Sequence, residues 1–195
     1  MKYFIIFGPP GAGKGTQATG IVERYNVKHI STGELLRSEI AAGTELGKKA
    51  QSLISAGCLV PDEVVEGMIE TQFDTVKGVE GFLLDGFPRT LAQAEVLDAM
   101  LARRGEEVTA VIGLQISDDI VRQRIAHRAN IEGRADDAKE EVINNRIKTY
   151  HTQTEPIIDY YRKSGKYYEV NGFGAAGPEG IGIVRERIVA VMDKL

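Results

Sequence analysis

The chain reads as an α/β protein with a parallel sheet covered by helices on both faces, and three observations predict this. Apolar runs of strand length recur at 2–7, 27–30, 81–84, 108–116 and 166–170. Helical sequence separates each run from the next, and such alternation builds parallel strands joined by helical crossovers. A glycine-rich turn, Gly8-Pro9-Pro10-Gly11-Ala12-Gly13, links the first run to the first helical stretch.

The opening run, Met1 to Phe7, is stopped by Gly8-Pro9-Pro10 too early for a signal-peptide core or a membrane span, so it is predicted as a buried strand. Lys14 to Tyr25 follows with helical character. Between the second and third strands lie two helical candidates, Gly33 to Ala42 and Glu45 to Ala56, the latter starting at Thr44-Glu45, and a third helix follows Pro61. That is more than one crossover needs. Residues 31–60 are therefore expected to form a small helical insert able to move against the sheet. Asp118 to Arg128 and Lys139 to Lys163 are predicted as helices, and the polar link from Ala129 to Ala138 as a flap. The glycine-rich stretch from Gly172 to Gly182 reads as a flexible connection as readily as a ligand-contacting one.

Composition narrows the class. At 195 residues the chain is long enough for one substantial core, and 43% hydrophobic with 27% charged residues argues against disorder and against a membrane protein. A formal net charge of −4 gives no global reason to bind nucleic acid, so any anion site must be local. Cys58 is the one cysteine, which precludes an intrachain disulfide or a cysteine-based zinc cluster and fits a reducing cytoplasm. It is expected to be a packing residue or a partly exposed loop thiol.

The stretch Gly8 to Thr16 lies between a predicted strand and a predicted helix, the context a phosphate-binding loop requires. Phosphate chemistry needs glycines there because backbone N–H groups must converge on anionic oxygens that a side chain would block. Lys14 then supplies a mobile charge to the terminal phosphates. One departure is informative. The general pattern ends in Lys followed at once by Ser or Thr, whereas here Gly15 intervenes before Thr16.

Gly-Lys-Gly-Thr resembles the nucleoside monophosphate kinase version of the loop, and three further segments complete a resemblance to adenylate kinases of the short-lid type. They are Ser31-Thr32-Gly33-Glu34-Leu35-Leu36-Arg37, Leu84-Asp85-Gly86-Phe87-Pro88-Arg89 and Gly133-Arg134-Ala135-Asp136-Asp137, in the family's order. The match extends from Met1 to about Tyr161. The resemblance implies a P-loop NTPase fold with a five-stranded parallel sheet, in a single domain. Its core would be 1–30, 61–127 and 139–195, with a monophosphate-binding insert at 31–60 and a short lid at 128–138. It implies a monomer that moves a phosphoryl group reversibly between ATP and AMP, giving ADP, with Mg²⁺. Arg128 to Arg134 leaves no room for the extra lid domain, often zinc-bearing, of long-lid relatives, so no structural zinc is expected.

By the same resemblance, Gly11, Ala12, Gly13, Lys14, Gly15, Thr16 and Arg128 would hold ATP. Thr32, Arg37, the backbone of Cys58, Leu59 and Val60, then Gly86, Phe87, Pro88, Arg89 and Gln93 would hold AMP. Arg124, Arg134 and Arg146 resemble the remaining family arginines that converge on the transferred group, the last two also reaching the AMP side. Lys14, Arg89, Arg124, Arg128, Arg134 and Arg146 are thus the candidate catalytic set. His127 and Ala138 depart from the usual short lid.

Physical reasons support several roles independently. Asp85 ends a buried apolar strand at its carboxyl edge, where α/β proteins bind ligands, and a carboxylate there can hold Mg²⁺, through water because that ion dehydrates reluctantly. Arginine suits a phosphate because its planar fork donates paired hydrogen bonds; this favours Arg89, which follows Phe87-Pro88 directly after the strand-end Asp85, whereas Arg37 taken alone reads as a solvated helix face. Arg124 and Arg128 are four residues apart and share a helix face, whereas Arg122 points elsewhere. His127 reads as a solvated helix residue, His29 and His151 as packing residues, and Tyr150, Tyr160, Tyr161, Tyr167 and Tyr168 as core or rim aromatics.

Three alternatives to an adenylate kinase stand beside this reading. A UMP/CMP kinase shares much of the pattern, but those enzymes typically show Ala where Thr32 stands and Asn where Gln93 stands, and a glutamine amide can pair with adenine through donor and acceptor. A P-loop NTPase switch or binding module is disfavoured by Gly15 and by the lack of an Asn-Lys-x-Asp motif. A non-catalytic nucleotide-binding protein conflicts with the arginine set.

Overall fold

The computed structural model describes residues 1–56, 58–132, 139–174 and 177–195, with the backbone alone for 130–132. Five strands, β1 (Lys2–Phe7), β2 (Val27–Ser31), β3 (Gly81–Asp85), β4 (Ala110–Gln115) and β5 (Tyr167–Asn171), form one sheet in the order β2-β3-β1-β4-β5. Every pairing is parallel. The α/β class and the five-stranded parallel sheet are as the sequence predicts.

Strands buried on both faces need apolar residues at every position, and β1 obeys: Tyr3 to Phe7 are all buried. Its alternate side chains feed two cores. Tyr3, Ile5 and Phe7 join Phe82, Leu84 and Val111 on one face, beneath α4 (Asp62–Thr75), α5 (Leu91–Ala102) and α8 (Ile157–Lys163). Phe4 and Ile6 join Leu83, Ile112 and Leu114 on the other, beneath α1 (Lys14–Tyr25) and α9 (Pro178–Met192). Truncating a residue such as Leu83, which has no solvent exposure, would cost ~2–5 kcal/mol.

Parallel register puts all carboxyl ends on one edge. Asp85 lies opposite both Ile6 and Ser31, Phe7 opposite Gly113, and Gln115 opposite Asn171. The chain leaving β1 enters α1 on one face of the sheet, whereas the chain leaving β3 enters α5 on the other. Connections that diverge from neighbouring strands open a crevice at that edge.

Local signals explain the helix starts. Ser31 caps α2 (Thr32–Ala41) by accepting from the Glu34 N–H, Thr44 caps α3 (Glu45–Ser55) by accepting from the Gly47 N–H, and Thr90 does the same for Gln93 in α5. Residues 31–60 thus carry α2 and α3, and Leu36, Ala50 and Val60 reach the core that contains α4.

Three sequence expectations are corrected. The helix foreseen over Lys139–Lys163 is broken into α7 (Glu140–Thr149), a π-helical segment Tyr150–Thr154, and α8. Pro156 is the reason, because its ring excludes the preceding turn's carbonyl and it has no N–H to donate. The helix foreseen to end at Arg128, α6, runs instead from Asp118 to Glu132, so the stretch from Ala129 is helical before it is a flap. Positions 133–138 of the expected lid, Arg134 among them, lie outside the described residues. Finally, Pro178 to Gly182 of the glycine-rich stretch is no free connection but the start of α9, with Pro178 at a helix-opening position.

Candidate active site

A cleft of about 870 Å³ runs along the carboxyl edge of the sheet. At one end the backbone from Gly8 to Lys14 turns into α1. Gly13 is the residue before that helix and has φ +89°, a conformation that disfavours any side chain. No side chain caps α1 and no acidic residue occupies its first turn, so its leading N–H groups are left for an anion. The Lys14 ammonium donates to Gly8 O at 3.0 Å and Pro9 O at 3.1 Å, folded back over its own loop.

Burial dominates the electrostatics of Lys14. Desolvation, with Arg89, Arg128 and Arg146 adding repulsion and Asp85 opposing it, pushes the ammonium down to about 8. Burial likewise lowers the Arg89 guanidinium, with Arg146 and Arg37 contributing and Asp85 again opposing. Burial alone pushes Asp85 up, but the His29 ring, Lys14 and Arg89 outweigh it and hold the carboxyl below its ordinary range. His29 Nε2 lies 3.4 Å from Asp85 Oδ2, long for a directional hydrogen bond and suited to an electrostatic contact. His29 therefore does more than pack.

The opposite end of the cleft is built from separate elements. Thr32, in the first turn of α2, is 2% exposed and donates to Gly86 O at 3.0 Å. Arg89 Nε donates to the same carbonyl at 2.8 Å. Gly86 has φ +83°, and a β-carbon there would stand 2.6 Å from Thr32 Oγ1, so this junction requires glycine. Gln93, 2% exposed, accepts from the Arg89 N–H at 2.7 Å and donates to Asp62 Oδ1 at 2.6 Å. Its amide is already half engaged, which narrows the base-pairing capacity expected of it. Thr154, in the π-helical segment, donates to Arg89 O at 2.7 Å.

The remaining wall comes from α6, α7 and the segment around β5. Arg124 and Arg128 line the cleft together, whereas Arg122 is exposed and donates to Asn144 Oδ1. Arg124 donates to Ala12 O at 3.3 Å and Gly172 O at 3.4 Å, tying α6 to the phosphate loop and to the chain after β5. Arg37, Arg146, Tyr150 and His127 also line the cleft, His127 being exposed. Past β5, Gly172, Phe173, Gly174, Ile181 and Val184 complete it.

Gly11 to Thr16, Thr32, Arg37, Cys58, Leu59, Val60, Asp85 to Arg89, Gln93, Arg124, Arg128 and Arg146 all face this one cleft. Arg134 lies outside the described residues. Sequence reasoning passed over Asp62 and Thr154, which carry no motif. It also misjudged His151, whose ring is no packing group but bridges Glu155 Oε2 at 2.8 Å and Asp118 Oδ1 at 3.0 Å at the surface.

Asp85 faces the start of α1, since a β-carbon on Gly15 would lie 3.8 Å from its Oδ2. Among the described residues no cluster of three His, Cys, Asp or Glu side chains forms a protein cage for a metal. One ionised carboxylate beside a phosphate loop fits a hard cation that keeps water and takes its other ligands from phosphates. Among the described residues no helix is long and apolar enough to cross a membrane.

Comparison with known proteins agrees with this construction. The adenylate kinase family model matches residues 6–166. The adenylate kinase of Bacteroides thetaiotaomicron is 48% identical over 174 residues, 89% of this chain and 92% of that protein. That of Phocaeicola vulgatus is 45% identical over 195 residues, the whole of both chains. That of Stenotrophomonas maltophilia is 46% identical over 170 residues, 87% of this chain and 90% of that protein. With a phosphate loop at one end of a cationic cleft and the Thr32–Arg89–Gln93 cluster at the other, the chain belongs to the adenylate kinase family of nucleotide phosphotransferases.

Proposed function

We propose that this adenylate kinase passes the γ-phosphoryl group of ATP to AMP within the cleft, with ATP on the phosphate loop and AMP on the cluster around Thr32, Arg89 and Gln93. The observation that carries this reading is the placement of Lys14, Arg37, Arg89, Arg124, Arg128 and Arg146 around one cavity. A switch or storage protein needs cations for one nucleotide; here they span two ends.

The AMP phosphate is already an anionic nucleophile, so no general base is required. An AMP phosphate oxygen attacks the γ-phosphorus, the bond from that phosphorus to the β,γ-bridging oxygen breaks, and ADP leaves with those electrons. The difficulty is repulsion and alignment. Backbone N–H groups of Gly11 to Thr16 hold the donor phosphates, Lys14 follows the terminal ones, and Arg37 and Arg89 hold the acceptor phosphate. Arg124, Arg128, Arg146 and, by resemblance, Arg134 meet the charge spread over the transferred group. Thr32, Gln93 and the backbone of Cys58 to Val60 receive the acceptor nucleoside. Asp85 would hold Mg²⁺, which would supply charge neutralisation of the phosphates.

Water competes with AMP as a nucleophile, which gives the insert at 31–60 and the lid at 128–138 a reason to close before transfer. We place the enzyme in the cytoplasm as a monomer, the single cysteine fitting a reducing compartment and the net charge of −4 giving no pull toward nucleic acid.

ADP formation from ATP with AMP, CMP or UMP tests the reading. AMP should be the strongly preferred acceptor, and Arg89→Ala should reduce single-turnover transfer by roughly a hundredfold with the fold intact. Near-normal transfer in that variant, or equal use of CMP, would overturn it.

A further inference from the structure

Gln93 is held at both ends of its amide, and the partners differ in kind. Oε1 accepts from the Arg89 N–H at 2.7 Å, and Nε2 donates to Asp62 Oδ1 at 2.6 Å. We propose that Asp62 is a positioning residue for the acceptor base: with the Arg89 N–H it locks the Gln93 amide in one orientation, so the site prefers a 6-aminopurine over a 6-oxopurine. The inference rests on the reading above that Gln93 meets the adenine of AMP.

A glutamine amide can turn over, exchanging oxygen for nitrogen with little change of shape. Here it is not free to do so. A backbone N–H only donates and a carboxylate only accepts. Turning the amide over would set N–H against N–H and oxygen against oxygen at hydrogen-bond distance, around a residue 2% exposed. Once both bonds are made, the amide keeps one N–H and one lone pair. Adenine offers the complement, an acceptor at N1 and a donor at N6, whereas a 6-oxopurine offers a donor at N1 and an acceptor at O6. An amide free to turn would satisfy either base; a fixed one is left with unpaired groups against the wrong base.

Asp62 is available for this task. It opens α4, where Pro61 is the cap and no side chain makes a capping bond, so its carboxylate is not spent on the helix. Glu63 beside it still places a negative charge in the first turn. Asp62 also stands 31 residues from Gln93 in sequence, so the contact is a product of the fold and not of helix propagation.

The test measures kcat and KM for AMP and for inosine monophosphate, at saturating ATP, together with KM for ATP and the thermal midpoint. In Asp62→Ala the KM for AMP should rise about tenfold and the preference for AMP in kcat/KM should fall about tenfold, while kcat and the KM for ATP change far less. Asp62→Asn, whose Oδ1 can still accept, should recover most of the KM. Should Gln93→Ala raise the KM for AMP while Asp62→Ala leaves both KM and preference alone, Asp62 does not position the amide even though the acceptor-site reading stands. Should Gln93→Ala itself leave both unchanged, that reading fails and this inference with it. A uniform loss of thermal midpoint, kcat and both affinities in Asp62→Ala, with no recovery in Asp62→Asn, would mean that Asp62 only supports α4 and would also overturn the proposal.

Discussion

The two ends of the cleft are built on opposite plans. The phosphate-loop end is local: consecutive backbone from Gly8 to Thr16 makes the cradle, and its lysine rests on carbonyls five and six residues earlier. The end around Gly86 and Arg89 is assembled from afar, from α2, the start of α4, the loop after β3 and the π-helical segment. Local construction makes the first end tolerant of changes elsewhere but intolerant of its own. Distributed construction makes the second end sensitive to residues that no ligand would touch.

The local end should match the large loss expected of Arg89→Ala, but through rate alone. Lys14→Ala ought to lower single-turnover transfer by roughly a hundredfold, ~3 kcal/mol of transition-state stabilisation, with the KM for AMP changed little. An unchanged rate would count against Lys14. A KM for AMP that rises as steeply as the rate falls would erase the contrast between the two ends.

A middle-sized effect belongs to the distributed end. Thr154→Val keeps shape but removes the hydroxyl that donates to Arg89 O, leaving that carbonyl short of a partner in a site where Thr154 is 8% exposed. A cost of about 1–2 kcal/mol, seen as a roughly five- to thirtyfold rise in the KM for AMP with the KM for ATP unmoved, is expected. Equal rises in both KM values would show that the π-helical segment serves the whole cleft.

The smallest effect is a pH dependence in the scaffold behind Thr154. Hydrogen bonds that His151 donates to Glu155 and to Asp118 raise its affinity for its proton above the ordinary 6.5. The folded state therefore binds that proton more tightly than the unfolded chain does. The resulting stability is fully present below the unfolded value and is lost as pH climbs through the folded one. The ring is exposed, so solvent screening keeps the contribution small. Thermal midpoints of the native chain and His151→Ala should differ more at pH 6 than at pH 9, and a gap that stays constant or widens with pH would refute the bridge.

The same contrast decides what could be read without coordinates. Strands, the phosphate loop and the helix start at Glu45 rest on signals a few residues long, so they were legible, and α2 was read from Gly33, one residue inside its start at Thr32. Asp62 and Thr154 were not, because their partners stand 31 and 65 residues away and a lone Asp or Thr has no periodicity to betray it. Thr32 and Gln93 could be named only through resemblance, whereas Arg89 also had its place just after the strand-end Asp85 to mark it. Pro156 is a different case, a visible breaker inside a stretch taken as one helix. The α6 end was missed for the opposite reason, since residues 129–132 read as the start of the polar link to Ala138 although they continue a helix.

Cys58 has a practical consequence. It is the chain's only cysteine, its thiol is exposed, and it lies on the rim of the cleft, where Asn145 of α7 donates to the neighbouring Ala56 O at 2.8 Å. The natural sequence thus carries one chemically unique handle on the seam between residues 31–60 and α7. A fluorophore or spin label would attach at a single position with no other thiol to remove, and its signal would follow the arrival of a nucleotide in real time.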